Sequence, residues 1–185
     1  MARTRDQIAE AALSAFSNQG YEATTLDQIA DTAEVHKRTL LRYFPTKAHL
    51  VLHGYYEAFE VFREELVARQ AASVVDIWEG HVVSHAREIN RRASLARVRR
   101  LIATEPAIRQ AFLEIQAAYL DLLAVELSRE SETDPATDIR SKVIAAALVG
   151  GNFAVGGMVL DREAYGEMET AEREVIRLVR TGFPA

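Results

Sequence analysis

The chain has 185 residues, 49% of them hydrophobic and 26% charged, which is long and apolar enough to bury a core and excludes a chain that stays disordered. It has no cysteine, so disulfides, thiol nucleophiles and thiolate metal sites are excluded. Its formal net charge is -5, which at first sight argues against a polyanionic partner.

Thr4-Arg5-Asp6-Gln7 has the form of a capping box, and Ile8, Ala12, Ala15 and Phe16 follow at helical spacing until Gly20, predicting a first helix over roughly 4–18. Thr25-Leu26-Asp27-Gln28 repeats the capping signature, with Leu26, Ile29, Ala30 and Ala33 on one face of a short second helix. Residues 36–44 put Leu40 and Phe44 on one face of a third helix, which Pro45 ends because it lacks an amide and clashes with the preceding turn. Thr46 is expected to cap a long fourth helix with Val51, Tyr55, Ala58, Phe59, Phe62 and Leu66 as its stripe. Further helices are predicted over 73–91, 94–103, 106–129, 136–160 and 166–181. The expected fold is all-α with about nine helices: a small domain over 1–50 and a larger helical domain over 51–185.

Two short helices joined by a tight turn, the second basic and stopped by proline, are what a helix-turn-helix requires. The charge agrees with this. Residues 1–50 carry six Lys or Arg against six acids, so the remaining residues hold the whole deficit. Between Val35 and Tyr56 there are four Lys or Arg and no acid, a local electropositive patch on an acidic chain. The third helix offers His36, Lys37, Arg38, Thr39 and Arg42 to the major groove, where Lys and Arg donate to guanine and Thr contacts a base or a thymine methyl.

At these residues the segment TTLDQIADTAEVHKRTLLRYFPTKAHL resembles the signature of the TetR family of transcriptional regulators. It matches that pattern at Thr25, Ile29, Ala30, Ala33, Val35, Thr39, Leu40, Tyr43, Phe44, Lys47 and Leu50. The resemblance implies that Thr25, Tyr43 and Lys47 touch phosphates while residues 36–39 and Arg42 approach bases, so that phosphate contacts hold the register and base contacts specify. Four positions depart from the pattern: Glu34 replaces a turn glycine, His36 a small capping residue, Arg38 a frequent glycine and Leu41 a tyrosine. If position 34 needs positive φ, glutamate carries strain of order 1 kcal/mol there. Arg38 adds a guanidinium that predicts guanine-directed contacts.

The resemblance further implies a C-terminal domain for effector binding and dimerisation, and residues 99–130 resemble a subgroup described as binding acyl-CoA-like ligands. Trp78, His81, His85, Tyr119, Asn152 and Phe153 are the polar and aromatic candidates for an effector pocket, against the bland reading of hydrogen-bonded core residues. Ala147, Gly150, Gly151, Ala154 and Gly157 place small residues on one helix, which with Val175, Ile176, Leu178 and Val179 of the last helix suits a four-helix dimer interface. The bland alternative is a glycine-softened core helix. Arg87, Arg91, Arg92, Arg97, Arg99 and Arg100 read as a solvated face, or as the mouth of a site for a phosphate-bearing effector.

The function expected is a sequence-specific DNA-binding regulator, a repressor released from a near-palindromic operator by a small molecule, acting as a homodimer without enzymatic activity or cofactor. The competing readings are an all-helical metal enzyme using His81 and His85 with Glu79 or Glu88, and a binding module that regulates no gene. His81 and His85 lie one turn apart but have no third ligand at a diagnostic spacing, so no metal is expected. The N-terminus is charged and no run approaches the roughly 20 apolar residues of a membrane span, from which a cytoplasmic chain with no membrane contact is expected.

Overall fold

The structure is a computed structural model and describes residues 2–89 and 95–182. Every regular element among them is helical: α1 (Ala2–Gln19), α2 (Leu26–Thr32), α3 (Lys37–Tyr43), α4 (Lys47–Val51), α5 (His53–Ala68), α6 (Val74–Ile89), α7 (Leu95–Thr104), α8 (Pro106–Glu130), α9 (Ile139–Asp161) and α10 (Met168–Thr181), with a 3-10 turn at Tyr165–Glu167. The ten helices exceed the expected nine because the long fourth helix is two. Thr46 caps α4 as expected, its hydroxyl accepting from the His49 amide, but the chain turns at Leu52, whose φ of -93° and ψ of 13° leave the helix. Leu52 is fully buried, and its carbonyl restarts the ladder by accepting from the Tyr55 and Tyr56 amides. At the other end of the chain, α1 begins at Ala2, upstream of the expected cap at Thr4.

The residues group into two compact units, the first of 1–57 with 93–113 and the second of 58–92 with 114–185. In the first, Ile8, Ala12 and Phe16 of α1 meet Ile29 of α2, Leu40 of α3, Phe44 and Leu50, all essentially buried. Each large side chain so buried stabilises the unit by about 1.5–3 kcal/mol. The capping box of α2 is formed in full: the Thr25 hydroxyl accepts from the Gln28 amide at 3.2 Å while the Gln28 side chain accepts from the Thr25 amide at 2.7 Å. The turn to α3 is a Schellman motif, with the Val35 amide on the Ala30 carbonyl and the Glu34 amide on that of Asp31. Glu34 sits at φ 54°, the left-handed conformation that the sequence pattern reserves for glycine.

In the second unit α10 packs against α9 and α6. A side chain at Gly151 would drive its Cβ to 2.6 Å from Val175 Cγ1, so this glycine lets α10 close on α9. Gly150, one residue earlier, has open space before it. The small residues therefore divide between two faces of α9: one meets the neighbouring helix, and the other, with Ile139 (76% exposed), Val143 (61%) and Met158 (43%), faces outward. By length and composition α9 is apolar enough to cross a membrane, which departs from the expectation that no such run exists. Its buried side is nonetheless built for protein packing, since Asn152 donates to Glu172 of α10.

Candidate nucleic-acid interface

The helix α3 owes its position to Leu40, fully buried, and to Phe44 just beyond its end; both face the core as expected, which turns the polar side of α3 outward. His36 stands at the N-cap with extended backbone and no capping hydrogen bond from its ring. His36, Arg38, Thr39 and Arg42 together line a cleft open to the surface. Leu41, 40% exposed, adds an apolar neighbour where the family pattern has a tyrosine.

Lys37 is exposed but engaged, its Nζ 2.8 Å from Asp27 Oδ2 of α2. Arg42 donates to the Tyr43 hydroxyl at 3.1 Å, and its guanidinium lies 4.9 Å from the Tyr43 ring centroid. Arg5 of α1 approaches the same ring at 5.1 Å, so α1 adds a cation that lies outside the helix-turn-helix motif. No spacing rule joins residues 5 and 43; only folding does. Lys47 is turned inward. Its ammonium donates to the Tyr21 and Thr24 carbonyls at 2.6 and 3.2 Å and sits 4.4 Å from the Tyr21 ring centroid, holding the segment that leads into α2.

The candidate effector residues fall in the second unit, around Phe62. Trp78, His81, Tyr119 and Asn152 are buried. Phe62 lies 5.2 Å from Trp78, 5.0 Å from His81 and 5.6 Å from Tyr119 between ring centroids, and Phe153 meets Tyr119 at 6.0 Å. Two polar chains run through these rings. Glu65 Oε2 lies 3.1 Å from His81 Nδ1, and His81 Nε2 lies 3.2 Å from the Tyr119 hydroxyl, consistent with Nδ1–H donating to the carboxylate and the phenol donating to Nε2. Trp78 Nε1 donates to Asn152 Oδ1 at 2.8 Å, and Asn152 Nδ2 donates to the Glu172 carbonyl at 3.1 Å and to its carboxylate.

Burial and then the nearby His85 push the His81 pKa down to about 3, so its ring is neutral. Burial raises the Tyr119 phenol, with the Glu65 charge adding to it, and raises Glu172 to about 7, opposed by its bond from Asn152. Glu79, one of the acids paired with these histidines in the enzyme reading, instead binds Arg173 at 2.6 Å and Arg180 at 3.1 Å; the side chain of Glu88 lies outside the described residues. The basic run does not act as one face. Arg87 makes a bidentate pair with Glu169, Arg97 pairs with Glu10 at 2.5 Å, and Arg91 and Arg92 lie outside the described residues.

A compact helical unit that presents a capped helix, a tight turn and an exposed basic helix, followed by a larger helical unit, defines a helix-turn-helix transcriptional regulator. Comparison with known proteins agrees. The family described as "Bacterial regulatory proteins, tetR family" matches residues 8–53. The chain is 33% identical over 184 residues to the HTH-type transcriptional regulator TcmR of Streptomyces glaucescens, covering 91% of this chain and 76% of that protein. It therefore belongs to the TetR family. Among solved structures, FadR of Thermus thermophilus in complex with lauroyl-CoA is similar with a TM-score of 0.63 and 23% identity over 98% of this chain and 95% of that one. NalD, the secondary repressor of the MexAB-OprM multidrug efflux pump in Pseudomonas aeruginosa, is similar with a TM-score of 0.66 and 16% identity over 98% of each chain. At these identities the two structures speak for the fold alone.

Proposed function

We propose that this regulator is a repressor that reads a near-palindromic operator as a homodimer through residues 1–50 and is released by a small molecule bound within residues 51–185. The observation that carries the reading is an exposed cleft lined by His36, Arg38, Thr39 and Arg42, a helix face of donors whose Leu40 and Phe44 are turned inward. In this reading His36, Arg38, Thr39 and Arg42 approach base edges, Lys37 reaches DNA after leaving Asp27, and Thr25 and Tyr43 hold phosphates. Lys47 acts chiefly by fixing the segment before α2. Two reader helices about 34–36 Å apart, or a multiple of that, then set the half-site spacing. Selection of bound sequences from a random DNA pool tests this. A two-fold-related motif is expected, and binding without sequence preference would reject it.

The dimer reading rests on the outward stripe of α9, where Ile139, Val143, Ala146, Gly150, Ala154 and Met158 recur at helical spacing and are exposed. Such a row of apolar and small side chains suits a second backbone at close range. The effector reading rests on Trp78, His81, Tyr119, Asn152 and Phe153 with the adjoining His85. A ligand that inserts among these rings must open them, and it shifts DNA affinity only by its difference in affinity for the two states. The lauroyl-CoA bound by FadR makes acyl-CoA-like molecules the first class to screen. The helix α5 has residues 53–57 in the unit that holds the reader and 58–68 in the other, which makes it the candidate lever. The protein acts in the cytoplasm by binding rather than by catalysis in this reading, and compounds that bind tightly yet leave the operator complex intact would count against its regulatory half.

A further inference from the structure

We propose that Asp6, His53 and Glu57 bind a divalent first-row transition-metal ion, with zinc as the type case, joining the start of α1 to the start of α5 within the first unit. His53 Nε2 lies 3.5 Å from Asp6 Oδ1 and 3.3 Å from Glu57 Oε1, and the three candidate ligand atoms all lie within 4.8 Å of one another. A tetrahedral ion with bonds of about 2.0–2.1 Å separates its ligands by roughly 3.4 Å. The two edges from His53 already have that length. The nitrogen is buried and makes no hydrogen bond, even to the two carboxylates beside it, a state that is unfavourable unless something fills it.

The ring is held in place independently of any ion, because its edge meets Phe44 with centroids 5.2 Å apart and planes at 86°. Its side chain is 12% exposed, whereas those of Asp6 and Glu57 are 70% and 40% exposed. A site of this form has a rigid inner nitrogen and two outer carboxylates that close over an ion arriving from solvent, which leaves the fourth position to water. One imidazole with two carboxylates favours zinc, cobalt or nickel over calcium and magnesium, which prefer oxygen alone. The site ties down the turn of α1 that carries Arg5 beside Tyr43.

The test is a calorimetric titration of the full chain with zinc near neutral pH, paralleled by cobalt and its visible ligand-field absorption. Asp6 is exposed and Glu57 half-buried, and neither is part of the core, so Asp6→Asn and Glu57→Gln should fold normally, as circular dichroism would verify. One ion per chain is expected, weakened at least tenfold by either substitution and lost from the double variant together with the cobalt band. Undiminished uptake by the double variant would place the ion elsewhere, as at the His81–His85 pair. Equal uptake by the parent and the double variant, or no saturable uptake by the parent, would overturn the proposal.

Discussion

Glu34 occupies a left-handed position that glycine would fill without strain, and it is not alone. Glu132 and Glu163 have φ of 55°, each with its amide on the carbonyl three residues back and the following amide on the carbonyl five back, so α8 and α9 end as α2 does. A side chain in this region costs about 1–2 kcal/mol. Glu34→Gly is therefore expected to raise stability by about 1 kcal/mol in urea unfolding, and to leave the preferred operator bases unchanged. In the proposed reading the Lys37–Asp27 pair competes with DNA for the same ammonium. An exposed pair of this kind is worth roughly 0.2–1 kcal/mol, so Asp27→Asn should tighten operator binding by up to about fivefold in a titration. Arg38→Ala should weaken it by about 1–3 kcal/mol and relax the preference at one base position; unchanged affinity and preference would remove Arg38 from base reading. Residue spacing alone shows that Leu40 and Phe44 face inward, because helical period settles it. It cannot show that Lys47 turns back to Tyr21 or that Lys37 meets Asp27, which are products of tertiary folding.

At the scale of elements, capping signals and the proline after α3 mark the reader well because they are local. The break between α4 and α5 is different in kind: no glycine or proline stands at Leu52, and the bend lets Leu50, Val51 and Leu52 all be buried, which a straight helix facing one core does not allow. The small-residue helix α9 reads in sequence as either a core helix or an interface, and its two faces fit one description each. Gly151 meets Val175, while Gly150 and Val143 look outward. Val143→Glu places a charge in the outward stripe and is expected to shift the protein toward monomer in sedimentation at micromolar concentration. Gly151→Leu should instead destabilise the subunit itself, since its side chain has no room beside Val175.

At the scale of the whole molecule, stability should carry the mark of a buried acid. Glu172 has a folded pKa raised from 4.5 to about 7, so between those values the folded state binds more protons than the unfolded chain. Stability is then fullest below about pH 4.5 as far as this group is concerned, and it falls as pH rises through 7. The loss amounts to roughly 3 kcal/mol. Glu172→Gln, which keeps an acceptor for Asn152, should flatten that decline in chemical unfolding followed from pH 5 to 8. An unaltered pH slope would mean that the acid is solvated more than its burial implies. The same interior holds the chain's single tryptophan, Trp78, 1% exposed and bonded through Asn152 to Glu172. Its emission is thus an intrinsic, label-free reporter confined to the second unit, silent about the reader. A compound entering the aromatic cluster should change its colour and quenching at once, and unfolding of that unit can be timed against loss of DNA binding in the other without attaching any dye.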